Sequence, residues 1–187
     1  MMNRLLPGEE APEFEAVTFD GVPFSSKDCI GQQKVWLAFY RYANCPICHH
    51  HLFEVAQLQK RLEKANVRVV AIFESKGLKF GKLSTDKRFP KFPMISDPDG
   101  ALYETYGVEK RVAAFFHLSV AFKFVKAALA GFNQGPIDGS MTRVPAHFLI
   151  DEDGMINTAY YGKTIADHIP WAMVEDFLRE HPLVEVS

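Results

Sequence analysis

The run Lys34-Val-Trp-Leu-Ala-Phe-Tyr40, five residues ahead of Cys45-Pro-Ile-Cys48 and followed by a helical pattern, constrains this chain more than any other segment. A short apolar run without alternation is the mark of a strand buried on both faces. From Pro46 to about residue 65 the period changes: Leu52, Val55, Leu58 and Leu62 share one sector of about 120°, opposite Glu54, Gln57, Lys60, Arg61 and Lys64. Proline is tolerated in the first turn of such a helix. Val67 to Phe73 is again an apolar, β-branched run, so the three segments form a β-α-β unit, whose crossover helix implies parallel strands. An α/β sheet is the expected frame.

The remaining segments extend it. Residues 12 to 26 alternate around Phe14, Ala16 and Thr18 and turn at Asp20-Gly21, which reads as an N-terminal β-hairpin. Lys76 to Phe89 reads as a weak helix, Phe92 to Gly100 as a short strand and turn before a helix reaching Tyr106. Arg111 to Phe132 reads as one long apolar helix ended by Gly131, in which Phe115, Phe116 and His117 are candidate pocket residues. Ala146–Ile150 and Ile156–Tyr161 form a strand pair around Asp151-Glu-Asp-Gly154, and Pro170 to Glu180 closes as a helix. The 187 residues, 48% hydrophobic, suffice for one core, and no repeat or linker divides them, so 1–187 is expected to be one domain.

A formal charge of −2 gives no field for nucleic acid or an anionic membrane, and neither is expected as a partner. The uncharged stretch Val112–Phe122 is too short to span a bilayer. Its apolar surface suits a packing or lid helix shared with a second copy of the chain, making a homodimer a candidate. The first ten residues lack a signal-peptide core, so a cytoplasmic location is expected. In a reducing compartment, two cysteines two residues apart suit catalysis or metal binding better than a structural staple.

The pair lies where a strand ends and a helix begins, and free helix N–H groups there favour a thiolate. Cys45 is expected to be accessible and nucleophilic; Cys48, about 40° from Leu52 on the wheel, is sheltered and resolves the mixed disulfide. Pro46 removes one N–H from that turn. Arg41, four residues upstream, favours the anion if its loop folds over the site, though an exposed loop arginine fits equally. Val144-Pro145, opening a strand, is a candidate cis peptide facing the cysteines. Cys29 is expected to be inert.

Cys45-Pro-Ile-Cys48-His49 also satisfies the c-type haem pattern, which a cytoplasmic location disfavours. A zinc site would take both cysteines and His49 with a fourth ligand such as His147 or His168, since consecutive histidines on a helix diverge by about 100°. A solvated face is the plain reading for at least two of His49, His50 and His51. No cofactor or metal is expected.

Gly8–Phe14, Asp20-Gly21, Phe39-Tyr40, Phe92–Asp97 with Tyr106-Gly-Val108, and Pro145–Gly154 resemble peroxiredoxins of the alkyl hydroperoxide reductase/thiol-specific antioxidant type over nearly the whole chain. Within that group the chain is most similar to bacterial peroxiredoxin-like proteins with a Phe-x-Arg-x-x-x-Cys-Pro-x-Cys segment and a late Ala-Asp-His-Pro-like stretch, here Ala166–Pro170. The resemblance implies a thioredoxin-like fold with Cys45 as nucleophile. Peroxidases of the family carry Pro-x-x-x-Thr-x-x-Cys; here Tyr42 stands at the threonine position and Ala38 at the proline position. The family's arginine three residues before the strand phenylalanine falls on Pro145, with Arg143 the nearest basic substitute. A plain thioredoxin is not expected either, because Phe39 replaces the buried acid six residues before its first cysteine.

The reading is therefore a thiol-disulfide oxidoreductase using Cys45 and Cys48, with Arg41, Pro46, Pro145 and Arg143 shaping the site and a thioredoxin- or glutathione-type dithiol as reductant. The alternatives are a hydroperoxide-reducing peroxidase through a Cys45 sulfenic acid, and a thiol sensor or zinc-binding protein without turnover.

Overall fold

The computed structural model describes residues 3–76, 92–115, 118–132 and 134–179, with side chains described for all of these except 115, 118 and 119. The expected Lys76–Phe89 helix therefore falls almost wholly outside the described residues, and so do the Phe115, Phe116 and His117 side chains.

A β-hairpin opens the chain: β1 (Glu15–Val17) pairs antiparallel with β2 (Pro23–Ser25) around a turn in which Gly21 has φ +84°. Glycine meets that left-handed backbone without the Cβ penalty. Next come β3 (Lys34–Phe39), α1 (Pro46–Gln57), α2 (Gln59–Lys64) and β4 (Val67–Phe73). After them follow β5 (Met94–Ser96), α3 (Ala101–Thr105), α4 (Leu118–Leu129), β6 (Ala146–Ile150), β7 (Ile156–Tyr161) and α5 (Trp171–Arg179).

The central sheet runs β5-β4-β3-β6-β7, parallel from β5 to β3 and antiparallel from β3 to β7. All six residues of β3 are buried, as the unalternating run requires of a central strand. Trp36, Ala38 and Tyr40 face a core built with α1, α4 and α5; Val35, Leu37 and Phe39 face a second core with Phe14, Tyr103, Tyr106 and Phe148. The sheet is thus covered on both sides. The hairpin docks on the β5 edge, where Phe19 N–H donates to Met94 O at 2.9 Å.

The apolar region after Arg111 departs from one long helix. A 3-10 turn, Val112–Phe115, precedes α4. Distant segments hold the turn that precedes it. Arg111 N–H bonds Thr142 O at 2.8 Å, and Ala114 O accepts from Ile165 N–H at 3.2 Å instead of serving a continuing helix. Gly131, φ +82°, terminates α4 as its position suggests. Among the described residues no helix is long and apolar enough to cross a membrane.

Candidate active site

β3 delivers the chain to the C-terminal edge of its sheet, where ligand sites of open α/β sheets gather. The loop Tyr40–Asn44 turns there and Cys45 caps α1, its extended backbone (φ −77°, ψ 115°) letting its sulfur accept the Cys48 N–H at 3.4 Å. Pro46 follows in the first turn without a lost helical bond, since that N–H has no intrahelical partner anyway.

Cys45 is buried, fully covered like Cys48, which corrects the expectation of an accessible nucleophile. Beside it the segment 134–143 runs as a strap, held by side chains of the cysteine loop and by Ser75. Tyr42 Oη donates to Gln134 Oε1 at 3.0 Å and Asn44 Nδ2 to Pro136 O at 3.2 Å. Ser75 Oγ accepts from Ala43 N–H and donates to Asp138 Oδ1, both at 2.8 Å. Gly139 passes so close that a Cβ there would stand 2.5 Å from Glu74 O and 2.9 Å from Tyr42 Cβ.

Arg41 lies inside, 1% exposed. Its Nη2 donates to Cys45 Sγ at 3.1 Å and its Nη1 to Met141 O at 3.0 Å, tying the sulfur to the strap. Burial alone would raise the Cys45 pKa. The hydrogen bond from the Cys48 thiol, the Arg41 guanidinium and the Cys48 N–H outweigh burial and hold it below the ordinary thiol range. Burial and the neighbouring Cys45 sulfur push Cys48 well above that range. The two thiols, both reduced, are polarised in opposite directions.

Arg143, the expected basic substitute, does not take the sulfur's side. Its Nη2 pairs with Glu74 Oε1 at 2.6 Å and its Nη1 donates to Val108 O at 2.7 Å. Glu74 Oε2 in turn accepts from Ser140 N–H at 3.0 Å, so Arg143 braces the strap from behind. Pro145 directly precedes the Ala146–Phe39 register pair, next to the chain leaving β3, and no peptide bond among the described residues is cis. Tyr42, in the family's threonine position, directs its hydroxyl to the strap. Cys29 packs in the opposite core, across the sheet from the pair.

The histidines divide differently from a solvated face. His49 Nε2 turns back to Ala43 O, while His51 is buried against His147 and His168. The ligand set of both cysteines with His49 and His147 or His168 is therefore not assembled. His51, His147 and His168 bring ligand atoms within 4.8 Å of one another, but their arrangement suits hydrogen bonding better than a metal. The rings of His51 and His168 are stacked at 4.1 Å, only 11° apart, so their in-plane lone pairs cannot converge on one ion. Trp36 Nε1–H points at His147 Nδ1 at 3.2 Å, where a ligating histidine would need an acceptor. Sequence separation hid this cluster: its members come from α1, β6 and the loop before α5.

A polarised cysteine pair at a helix start, on a five-stranded mixed sheet, defines a thiol redox protein of thioredoxin-like architecture. Residues 7–159 match the model of the AhpC/TSA family, and the chain belongs to that family as a thiol-dependent oxidoreductase. It is 28% identical over 166 residues to a Mycobacterium tuberculosis protein provisionally named a peroxiredoxin, spanning 89% of this chain and 91% of the relative. Similar solved structures include peroxidoxin BcpB of Mycobacterium tuberculosis, with TM-score 0.65 and 21% identity over 92% of this chain and 93% of that one. Enterococcus faecalis AhpC has TM-score 0.66 and 17% identity over 92% and 90%. These likenesses fix the thioredoxin-like fold.

Proposed function

We propose that the protein is a thiol peroxidase in which Cys45 attacks a small hydroperoxide and Cys48 resolves the product. The observation that carries this reading is the Arg41 guanidinium bridging a fully buried Cys45 sulfur and the strap. A disulfide on another protein would have to displace the strap, whereas a hydroperoxide group is only two oxygens. The Cys45 thiolate attacks the distal oxygen, the O–O bond breaks, and the alcohol or water leaves as its oxygen takes a proton. Arg41, a fixed cation beside the sulfur, stabilises the attacking thiolate and takes over the threonine's part in holding the peroxide. The Cys45 sulfenic acid then condenses with the Cys48 thiol, releasing water and forming a disulfide. Once the strap has moved aside, a cellular dithiol, thioredoxin- or glutathione-type, restores both thiols by exchange; the disulfide product, unlike the incoming hydroperoxide, requires that movement.

Disulfide exchange through the same pair is the second reading, favoured by the Cys45-Pro-Ile-Cys48 spacing at a helix start. Cys48→Ser separates the two. A peroxidase then accumulates a Cys45 sulfenic acid that dimedone labels in the presence of hydrogen peroxide; an exchange enzyme instead accumulates a mixed disulfide with its substrate and gives no dimedone adduct.

A further inference from the structure

The hydrogen-bond chain beneath α1 ends in an unused donor. Trp36 Nε1–H can only donate, so the His147 Nδ1 it faces carries no proton. The His147 proton is then on Nε2, which donates to His168 Nδ1 at 3.0 Å. His168 in turn carries its proton on Nε2, an atom that is buried and without a partner. Burial keeps both rings neutral, and the charges around His168 add to it there. His51 repeats the pattern: Tyr40 Oη engages its Nδ1 at 3.0 Å, and its Nε2 is also buried and unpartnered.

Both orphaned atoms belong to residues lining one cleft of about 280 Å³, between α1, α4 and the segment 168–171. Buried polar atoms of native proteins are rarely left unsatisfied, and here two of them sit on residues of one cleft. One side of the cleft is apolar, formed by Ile47, Phe122, Ile169, Pro170 and Trp171, and the volume lies just under the range of about 300–1,000 Å³ used by drug-sized ligands. Charge selects the ligand further. Lys123 and Lys126 face the cleft against one carboxylate, Glu54, which already pairs with Lys126 at 3.3 Å and with His50 at 3.5 Å. Two ammoniums against one carboxylate leave a single positive charge beside neutral imidazole donors.

We infer that this cleft binds a small organic monocarboxylate with an apolar body, its carboxylate accepting from His168 Nε2–H and facing Lys123 while its body lies against Phe122 and Trp171. The site requires neither cysteine and stands whatever reaction the pair performs. A polyphosphate would bring more charge than the cleft neutralises, and an ion alone would leave the apolar walls empty.

Calorimetric titration of the reduced full-length protein with 4-phenylbutyrate, and with 4-phenylbutan-1-ol as its uncharged counterpart, tests this. The acid is expected to saturate one site per chain, at least about tenfold more tightly than the alcohol. Long-range ¹H–¹⁵N spectra of the imidazoles should show the His168 Nε2–H resonance moving during that titration. Lys126→Met leaves Lys123 balanced by Glu54; it should weaken the acid about tenfold without touching the alcohol. His168→Phe should weaken the acid similarly, and Lys126→Met, on an exposed side chain, keeps the test valid should that core variant fail to fold. Equal affinity for acid and alcohol, indifference to Lys126→Met, or no saturation by about 10 mM acid overturns the inference.

Discussion

The proposed chemistry turns on Arg41, because one guanidinium reaches both Cys45 Sγ and Met141 O. Arg41→Met should raise the Cys45 pKa toward or beyond the ordinary thiol value of about 8.5, and each unit costs about tenfold in thiolate below that range. Thiolate absorbance at 240 nm across pH reads the shift; an unmoved midpoint refutes the role. Arg41→Lys should rescue only part, since an ammonium lacks the fork that spans sulfur and strap. The sign follows from the depressed pKa: Cys45 stays reactive as pH falls below the free-thiol range, until it protonates at its own lower value. Little in the sequence distinguished this arginine from an exposed one. Its spacing of four from Cys45 and its place in the Phe-x-Arg-x-x-x-Cys segment were the signals, and its second partner, Met141, lies a hundred positions away.

At the scale of elements, the strap 134–143 is the proposed barrier between solvent and the sulfur. Gly139→Ala would drive a Cβ into Glu74 O and Tyr42, which cannot yield without lifting the strap. The variant should lose about 1–3 kcal/mol of stability in urea titration and alkylate faster at Cys45 with a bulky maleimide. Unchanged alkylation would show that the strap is no barrier. The strands β3 and β4 and the helix α1 were legible because runs buried on both faces and a 3.6-residue period leave a strong pattern. The hairpin and the β6–β7 pair were legible through their turn residues. The strap was not, because its conformation is set by side-chain bonds from Tyr42, Asn44, Ser75 and Glu74, which leave no periodicity. Likewise the break before α4 depends on carbonyls claimed by distant amides. Cys45 looked accessible by its helix-start position alone, and its packing in the core reversed that.

At the scale of the whole molecule, three buried neutral imidazoles among the described residues set the acid limit. Burial first, then neighbouring charge, lowers the pKa of His51 and His168 well below the ordinary value, and burial takes His147 to about 3. Unfolded, each histidine binds a proton near pH 6.5; folded, each resists it, so the unfolded state gains protons as pH falls. Stability should be complete above about pH 6.5 and fall below it by about 1.4 kcal/mol per pH unit for each such histidine. Glu74, held below the usual carboxylate range because Arg143 and Ser140 overcome its burial, adds a separate loss only beneath about pH 4.3. Urea unfolding at pH 7.5 and pH 5.5 checks the slope. His51→Phe should reduce it by one histidine's share, and equal stability at both pH values would contradict the neutral cluster.

The central claim is that Cys45 and Cys48 form one peroxide-reducing centre. Mixing the reduced protein with one equivalent of hydrogen peroxide in stopped flow, then mapping the quenched product by mass spectrometry, tests it most directly. A disulfide joining Cys45 to Cys48, formed far faster than free cysteine is oxidised, is the predicted result. Oxidation no faster than free cysteine, or a product centred on Cys29, would contradict it.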